Sequence, residues 1–218
     1  GRFAAGAAEL SGHRMTNAMA IGKQMFLEFD NGLFLRVHLG IYGAWDFAGD
    51  ITADATTASA NGRMGQTNQH GTILDAAAED SLHSIGAPRK TRLRMAEQEK
   101  LEGDIESFPP EPIGQVRVRL LTTDAVADLR GPTACEVLTP DQVATILSKS
   151  GPDPLVDDPQ QAEERFVAAV RSKQTPIGLL LMDQSVVSGI GNVYRAELLF
   201  RARLDPHTPG RLVPEELV

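Results

Sequence analysis

The chain opens its regular pattern with two short runs, Lys23–Phe29 and Leu33–His38, which alternate or run apolar on either side of Asp30-Asn31-Gly32. Asn-Gly between such runs predicts a β-hairpin, since these residues tolerate the positive φ of a tight turn. A third strand is predicted from Tyr42 to Phe47. Between Gln115 and Thr122 the alternation is clean: Val116, Val118 and Leu120 face one way, Arg117 and Arg119 the other. Val126–Arg130 and Ala134–Leu138 complete a largely antiparallel β lobe over residues 1–138.

After 138 the period changes. Thr139-Pro140-Asp141-Gln142 supplies an N-cap, a proline at the first helical position and a Gln at the capping-box position. Asp158-Pro159-Gln160-Gln161 repeats the device ahead of Ala162–Arg171, where Phe166, Val167, Ala169 and Val170 form one apolar face. An apolar helix, Ile177–Met182, then runs into a glycine-punctuated turn, and a second helix starts at Asn192. The expected class is α+β, with a β-rich lobe 1–138 and a helical lobe 139–218. Residues 48–112 fit neither pattern. They are rich in Ala, Thr, Ser, Gly, Asp and Gln, with Phe108 their one aromatic. So long a connection is uncommon inside a compact domain. Its composition predicts a disordered insertion between two strands, with a short charged helix at Met95–Leu101. There is no internal repeat.

Charge changes the picture. The 218 residues carry a formal net charge of −8, which argues against a nucleic-acid binder. The distribution is uneven. Residues 51–112 hold six Lys/Arg and ten Asp/Glu, whereas residues 165–211 hold seven Lys/Arg and three Asp/Glu. An acidic insert therefore masks a basic module. The single cysteine, Cys135, allows no internal disulfide and no cysteine zinc site, and reads as a small packed apolar residue. His13, His70, His83 and His207 have no partner at ligand spacing, so no metal or other cofactor is expected. No apolar run is long enough to span a bilayer. A reducing cytoplasm is the expected compartment and no membrane partner is implied.

The chemistry concentrates at Asp183-Gln184-Ser185-Val186-Val187-Ser188-Gly189-Ile190-Gly191-Asn192-Val193-Tyr194-Arg195. Asparagine is a strong N-cap, and the amides at a helix start are unpaired donors. A carboxamide beside such amides is a seat for phosphate. Arg195, Arg201 and Arg203 on the same helix can reach neighbouring phosphates. A dinucleotide fingerprint is excluded, because the third glycine position is Tyr194 and the preceding residues are not strand-like. A tight helix–turn–helix with no ligand stands level with the phosphate seat on pattern alone.

This segment resembles the helix-two-turn-helix of the formamidopyrimidine-DNA glycosylase / endonuclease VIII family. Upstream, Ala20-Ile21-Gly22-Lys23 and Val37-His38-Leu39-Gly40-Ile41-Tyr42-Gly43-Ala44-Trp45 resemble that family's lysine motif and the loop that enters the DNA stack. Ala127-Asp128-Leu129-Arg130-Gly131-Pro132 and Gly151-Pro152-Asp153-Pro154-Leu155 follow in the family's order. The set is most similar to the endonuclease VIII-type branch of actinobacteria, and covers almost everything outside 48–112.

The resemblance implies roles. Lys23, otherwise an ordinary exposed lysine at the head of a strand, becomes a catalytic-site lysine that contacts the lesion's backbone. Ile41 and Tyr42, otherwise part-buried turn residues, become a wedge that fills the gap left by a flipped nucleotide. Gly40 cannot supply the polar contact that related enzymes place there. Arg130 is either a strand-end ion pair or a probe of the base opposite the lesion. Lys149 either contacts phosphate or complements a helix C-terminus. His38 reads as a packed core histidine. Glu197 reads as a structural carboxylate accepting backbone N–H bonds in the turn.

The implied function is a bifunctional DNA glycosylase and abasic-site lyase of base excision repair, acting as a monomer on damaged double-stranded DNA held between the lobes. The resemblance implies that a terminal proline amine attacks the anomeric carbon of the flipped nucleotide and displaces the base. A neighbouring glutamate assists by proton transfer, a Schiff base forms, and elimination nicks the strand. The chain begins at Gly1-Arg2-Phe3 and stops at Pro214-Glu215-Glu216-Leu217-Val218. The proline start and the family's zinc finger are expected to be missing from it, leaving the 218 residues inactive alone. The alternative is a non-catalytic DNA-binding remnant.

Overall fold

The computed structural model describes residues 3–50, 84–86 and 108–217. Its elements are α1 (Ala4–Leu10), β1 (Met15–Ile21), β2 (Gln24–Phe29), β3 (Phe34–His38), β4 (Ala44–Gly49), β5 (Ser84–Gly86), β6 (Val116–Leu121), β7 (Ala125–Arg130), β8 (Ala134–Leu138), α2 (Pro140–Ser148), α3 (Pro159–Arg171), α4 (Ile177–Leu180) and α5 (Asn192–Ala202). Two short 3-10 turns, Gly210–Leu212 and Glu215–Leu217, follow. The class is α+β: apart from α1, the helices follow the antiparallel strands.

The chain divides into two compact units, residues 1–13 with 35–137 and residues 14–34 with 138–218. These are not the sequential lobes 1–138 and 139–218. The reason is packing. Phe26 and Phe34 share one buried cluster with Leu138 and Val143, flanked by Met19, Ile146 and Leu147. The β1–β2 hairpin thereby completes the apolar face of α2, and burial outweighs chain order.

In the first unit, a four-stranded sheet runs in the order β5-β4-β7-β6. Trp45 pairs with Leu129, and Leu129 with Val118, on the face that builds the core. The opposite face carries charge. Arg119 grips Asp128 through two 2.7 Å bonds, and Arg130 pairs with Asp46. Such side-by-side pairs across strands hold register as well as charge. The expected insertion 48–112 lies mostly outside the described residues. One piece of it is ordered differently from that expectation: Ser84–Gly86 pairs antiparallel with Ala44–Asp46.

In the second unit, β1 and β2 pair from Met15↔Phe29 to Ile21↔Gln24, which leaves Gly22-Lys23 as a two-residue turn. Gly22 has φ +58° and Lys23 stays on the negative side, the pattern of a turn with glycine first. Helix α2 is closed by the expected capping box of Thr139 and Gln142. Asp158 caps α3 through the Gln161 amide at 3.0 Å. A second cluster of Val170, Ile177, Leu180, Leu181, Val186 and Val213 anchors α3, α4 and the turn after it.

Candidate functional site

The site gathers where the Gly22-Lys23 turn meets two loops of its own unit. Asp153 is 5% exposed and accepts the Gly22 N–H at 2.6 Å through Oδ2. Its Oδ1 accepts the Leu155 N–H at 2.9 Å. The loop is tied in turn to the next one: Gly151 N–H donates to Gln184 O at 2.8 Å, Ser188 N–H to Pro152 O at 2.9 Å, and Ser188 Oγ to Gly151 O at 2.8 Å. Gly22 is required here twice over. Its φ disfavours other residues, and a β-carbon would stand 3.0 Å from Ser188 Cβ.

Lys23 projects from the turn tip rather than from the head of the strand. Its ammonium donates to the Ile190 carbonyl at 2.5 Å. Partial burial holds this lysine below the ordinary lysine value, since desolvation disfavours the charged form. The carbonyl lies directly before Gly191-Asn192, where α5 begins. Ammonium and helix start thus border the same volume.

Asn192 is the first helical residue, not the N-cap. Gly191 occupies the cap position, and no side chain caps α5. Asparagine's propensity predicted a cap. The extended backbone of Gly191, φ −125° and ψ −172°, shifts the boundary by one residue. The Asn192 carboxamide is exposed and unclaimed among the described residues, as are the first amides of α5. Arg195, half-buried, and the exposed Arg201 and Arg203 follow on the same helix. Glu197 does not accept turn amides as expected; it is exposed, and the Gly189 N–H goes to Gln184 Oε1 at 3.0 Å. Lys149 is exposed at the C-cap of α2, which fits complementing a helix end and leaves its ammonium accessible.

Within the other unit, Ile41 is 80% and Tyr42 52% exposed on the loop from Leu39 to Gly43, closed by Gly43 N–H to Leu39 O at 3.0 Å. They are not part-buried turn residues. Gly40 at φ +67° lies against Thr133 Oγ1, which leaves no room for a side chain. Arg130 adopts the ion-pair arrangement, bonding Asp46 and the Ile113 carbonyl.

Gln184 carries no local mark in the sequence, yet its carboxamide and backbone bind four partners around the turn. Cys135 is half-buried, and burial pushes its thiol up to about 11. Among the described residues, no group of three or more His, Cys, Asp or Glu is placed to hold a metal. No helix among them is long and apolar enough to cross a membrane.

Residues 150–218 match the family model described as the formamidopyrimidine-DNA glycosylase H2TH domain. Endonuclease 8 1 of Mycobacterium tuberculosis (strain ATCC 25618 / H37Rv) is 36% identical over 217 residues, 99% of this chain and 60% of the relative. A formamidopyrimidine-DNA glycosylase of Roseobacter denitrificans is 28% identical over 203 residues, 92% of this chain and 54% of the relative. A crystal structure of Lactococcus lactis formamidopyrimidine-DNA glycosylase, non-covalently bound to DNA containing an AP site, superposes with a TM-score of 0.59 at 18% identity. It covers 99% of this chain and 61% of that one. The chain spans 54% to 61% of the length of these relatives.

Proposed function

This chain belongs to the formamidopyrimidine-DNA glycosylase / endonuclease 8 family, and from that premise we propose that it is the DNA-holding part of a glycosylase and abasic-site lyase that acts on oxidised bases. One observation carries the proposal. A hairpin turn, itself fixed by a buried aspartate, sets a lysine ammonium beside an uncapped helix start with a free carboxamide. Each of these three groups favours an anion, and the amides and carboxamide also donate hydrogen bonds. Together they suit the phosphates next to a flipped nucleotide. Arg195 adds charge along the same helix, and Lys149 supplies a further accessible cation.

Lys23 then has two tasks. Its cation pairs the phosphate beside the lesion. Its depressed pKa leaves it readier than an ordinary lysine to give and take a proton during elimination. Ile41 and Tyr42, exposed at the loop tip, supply the apolar surface that fills the stack when a base is extruded. Arg130 is committed to Asp46, so reading the opposite base requires breaking that pair. The chemistry of attack is assigned to a proline amine, as in the family's pattern, and not to any side chain of the 218 residues.

Borohydride trapping on abasic duplex tests the reading. In a protein extended upstream of Gly1 by the Pro-Glu start and downstream by the zinc finger that the family resemblance implies, a covalent adduct is trapped. Lys23→Ala in that protein slows strand cleavage more than it weakens binding. Abasic-site binding without trapping favours a DNA-holding protein that does no chemistry.

A further inference from the structure

The Ile190 carbonyl takes two donors at once. Lys23 Nζ donates at 2.5 Å and Gln184 Nε2 at 3.0 Å. A carbonyl oxygen has two lone pairs, so both are occupied. Gln184 does more. Its Nε2 also donates to Met182 O at 3.1 Å, and its Oε1 accepts the Gly189 N–H at 3.0 Å. Its own carbonyl accepts the Gly151 N–H at 2.8 Å. One half-buried carboxamide thus closes the loop from 182 to 190 on itself, and its backbone ties that loop to the Gly151–Asp153 turn. The carbonyl it holds is the one on which the ammonium rests. A β-carbon built on Gly191, the next residue, would stand 3.3 Å from Lys23 Nζ. The ammonium and the start of α5 are therefore neighbours through a single oriented peptide.

We propose that Gln184 is a positioning residue: it fixes the Ile190 peptide so that the Lys23 ammonium and the α5 N-terminus address a DNA phosphate as one rigid unit. This rests on the functional reading above for the identity of the ligand, but the clip itself is a property of the free protein. Without Gln184, the Ile190 carbonyl keeps one donor, the loop 184–190 loses its internal closure, and the ammonium loses a fixed seat. The cation remains on the chain, but its placement relative to the helix amides does not. Placement matters because two groups aimed at one phosphate bind better than either alone only when neither has to be ordered on binding.

The test uses Gln184→Met, which keeps length and removes all three side-chain bonds, and Gln184→Asn, which keeps the carboxamide one carbon too short. The first readout is nitrogen-15 relaxation of lysine ammonium groups in the free protein. The Lys23 ammonium is ordered in the parent chain, and in either variant becomes as mobile as the exposed Lys149, while the backbone spectrum is retained. The second readout is affinity for duplex DNA carrying a tetrahydrofuran abasic-site analogue. Gln184→Met weakens it by about 5- to 20-fold in the parent, and by less than about twofold in a Lys23→Met background, because the two residues act through one contact. Equal ammonium order in parent and variants overturns the proposal, as does an equal loss of affinity in both backgrounds. If Gln184→Met does not fold, Gln184→Asn decides by the same criteria. Should the parent chain show no preference for the abasic analogue, the functional reading fails, while ammonium order still judges the clip.

Discussion

Replacing Asn192 by alanine separates holding a phosphate from starting a helix. The side chain is exposed, sits at the first helical position, and caps nothing. Its loss therefore removes no internal bond. Surface changes of this kind stay within about 0.5 kcal/mol. For a chain of this size that shifts the melting temperature by about 2 °C or less. In the DNA complex the expected loss is different in kind. A hydrogen bond to a charged partner contributes about 1.5–3 kcal/mol, so affinity for abasic-analogue duplex falls by about 10- to 150-fold. Fluorescence anisotropy with labelled duplex measures this, at one fixed salt concentration because backbone contacts are salt-dependent. A thermal melt of the same samples controls for folding. Affinity within about twofold of the parent refutes the seat. A loss of affinity that arrives with a large drop in melting temperature refutes it too, since Asn192 then has a structural task that its exposure denies.

Asp153→Ala strands the Gly22 and Leu155 amides and destabilises the chain by about 1–3 kcal/mol in denaturant titration; a cost near zero means that water replaces the carboxylate. Ile41→Ala with Tyr42→Ala leaves stability unchanged within about 0.5 kcal/mol but reduces the preference for abasic over intact duplex, and an unchanged preference removes the wedge. Cys135 ionises more easily unfolded than folded, because burial raises its pKa to about 11. Stability therefore falls as pH rises from about 9 towards 11, where only the unfolded chain has lost the proton. Chemical denaturation across that range shows a slope that Cys135→Ala flattens. The 218-residue chain alone forms no borohydride-trapped adduct with abasic DNA; efficient trapping would relocate the nucleophile to one of its own amines.

Much of this architecture was legible where a single local rule governs it. Thr139 and Gln142 close α2 as their spacing requires, and Asn31-Gly32 turns the chain between β2 and β3, with Asn31 Oδ1 accepting the Leu33 N–H. Helix α1 and strand β1 left no such trace. Ala4–Leu10 is alanine-rich with little polar contrast, and β1 is largely exposed, so neither alternates. The run Ile177–Met182 gives only one helical turn at Ile177–Leu180, because the chain bends away to pack Val186. At the site, the residue types Lys23 and Asn192 were readable. Their meeting was not: Lys23 and Ile190 lie 167 positions apart, and no local pattern encodes a contact between them. Gln184 was invisible for the same reason, since its importance lies in which carbonyl it holds. Arg130 left two alternatives open in the sequence, and Asp46, eighty-four positions away, supplies the ion pair seen here.

On the proposed function, Lys23 and the start of α5 form one seat for the backbone of damaged DNA. The most direct measurement is the affinity of the 218-residue chain for tetrahydrofuran-containing duplex and for the same duplex undamaged, across a salt series, with and without Lys23→Met. A shared seat gives a preference for the damaged duplex of about tenfold or more, and a log–log salt slope that is shallower by about 0.9 in the variant, one phosphate contact fewer. Equal affinity for both duplexes, or a salt slope that Lys23→Met leaves unchanged, contradicts it.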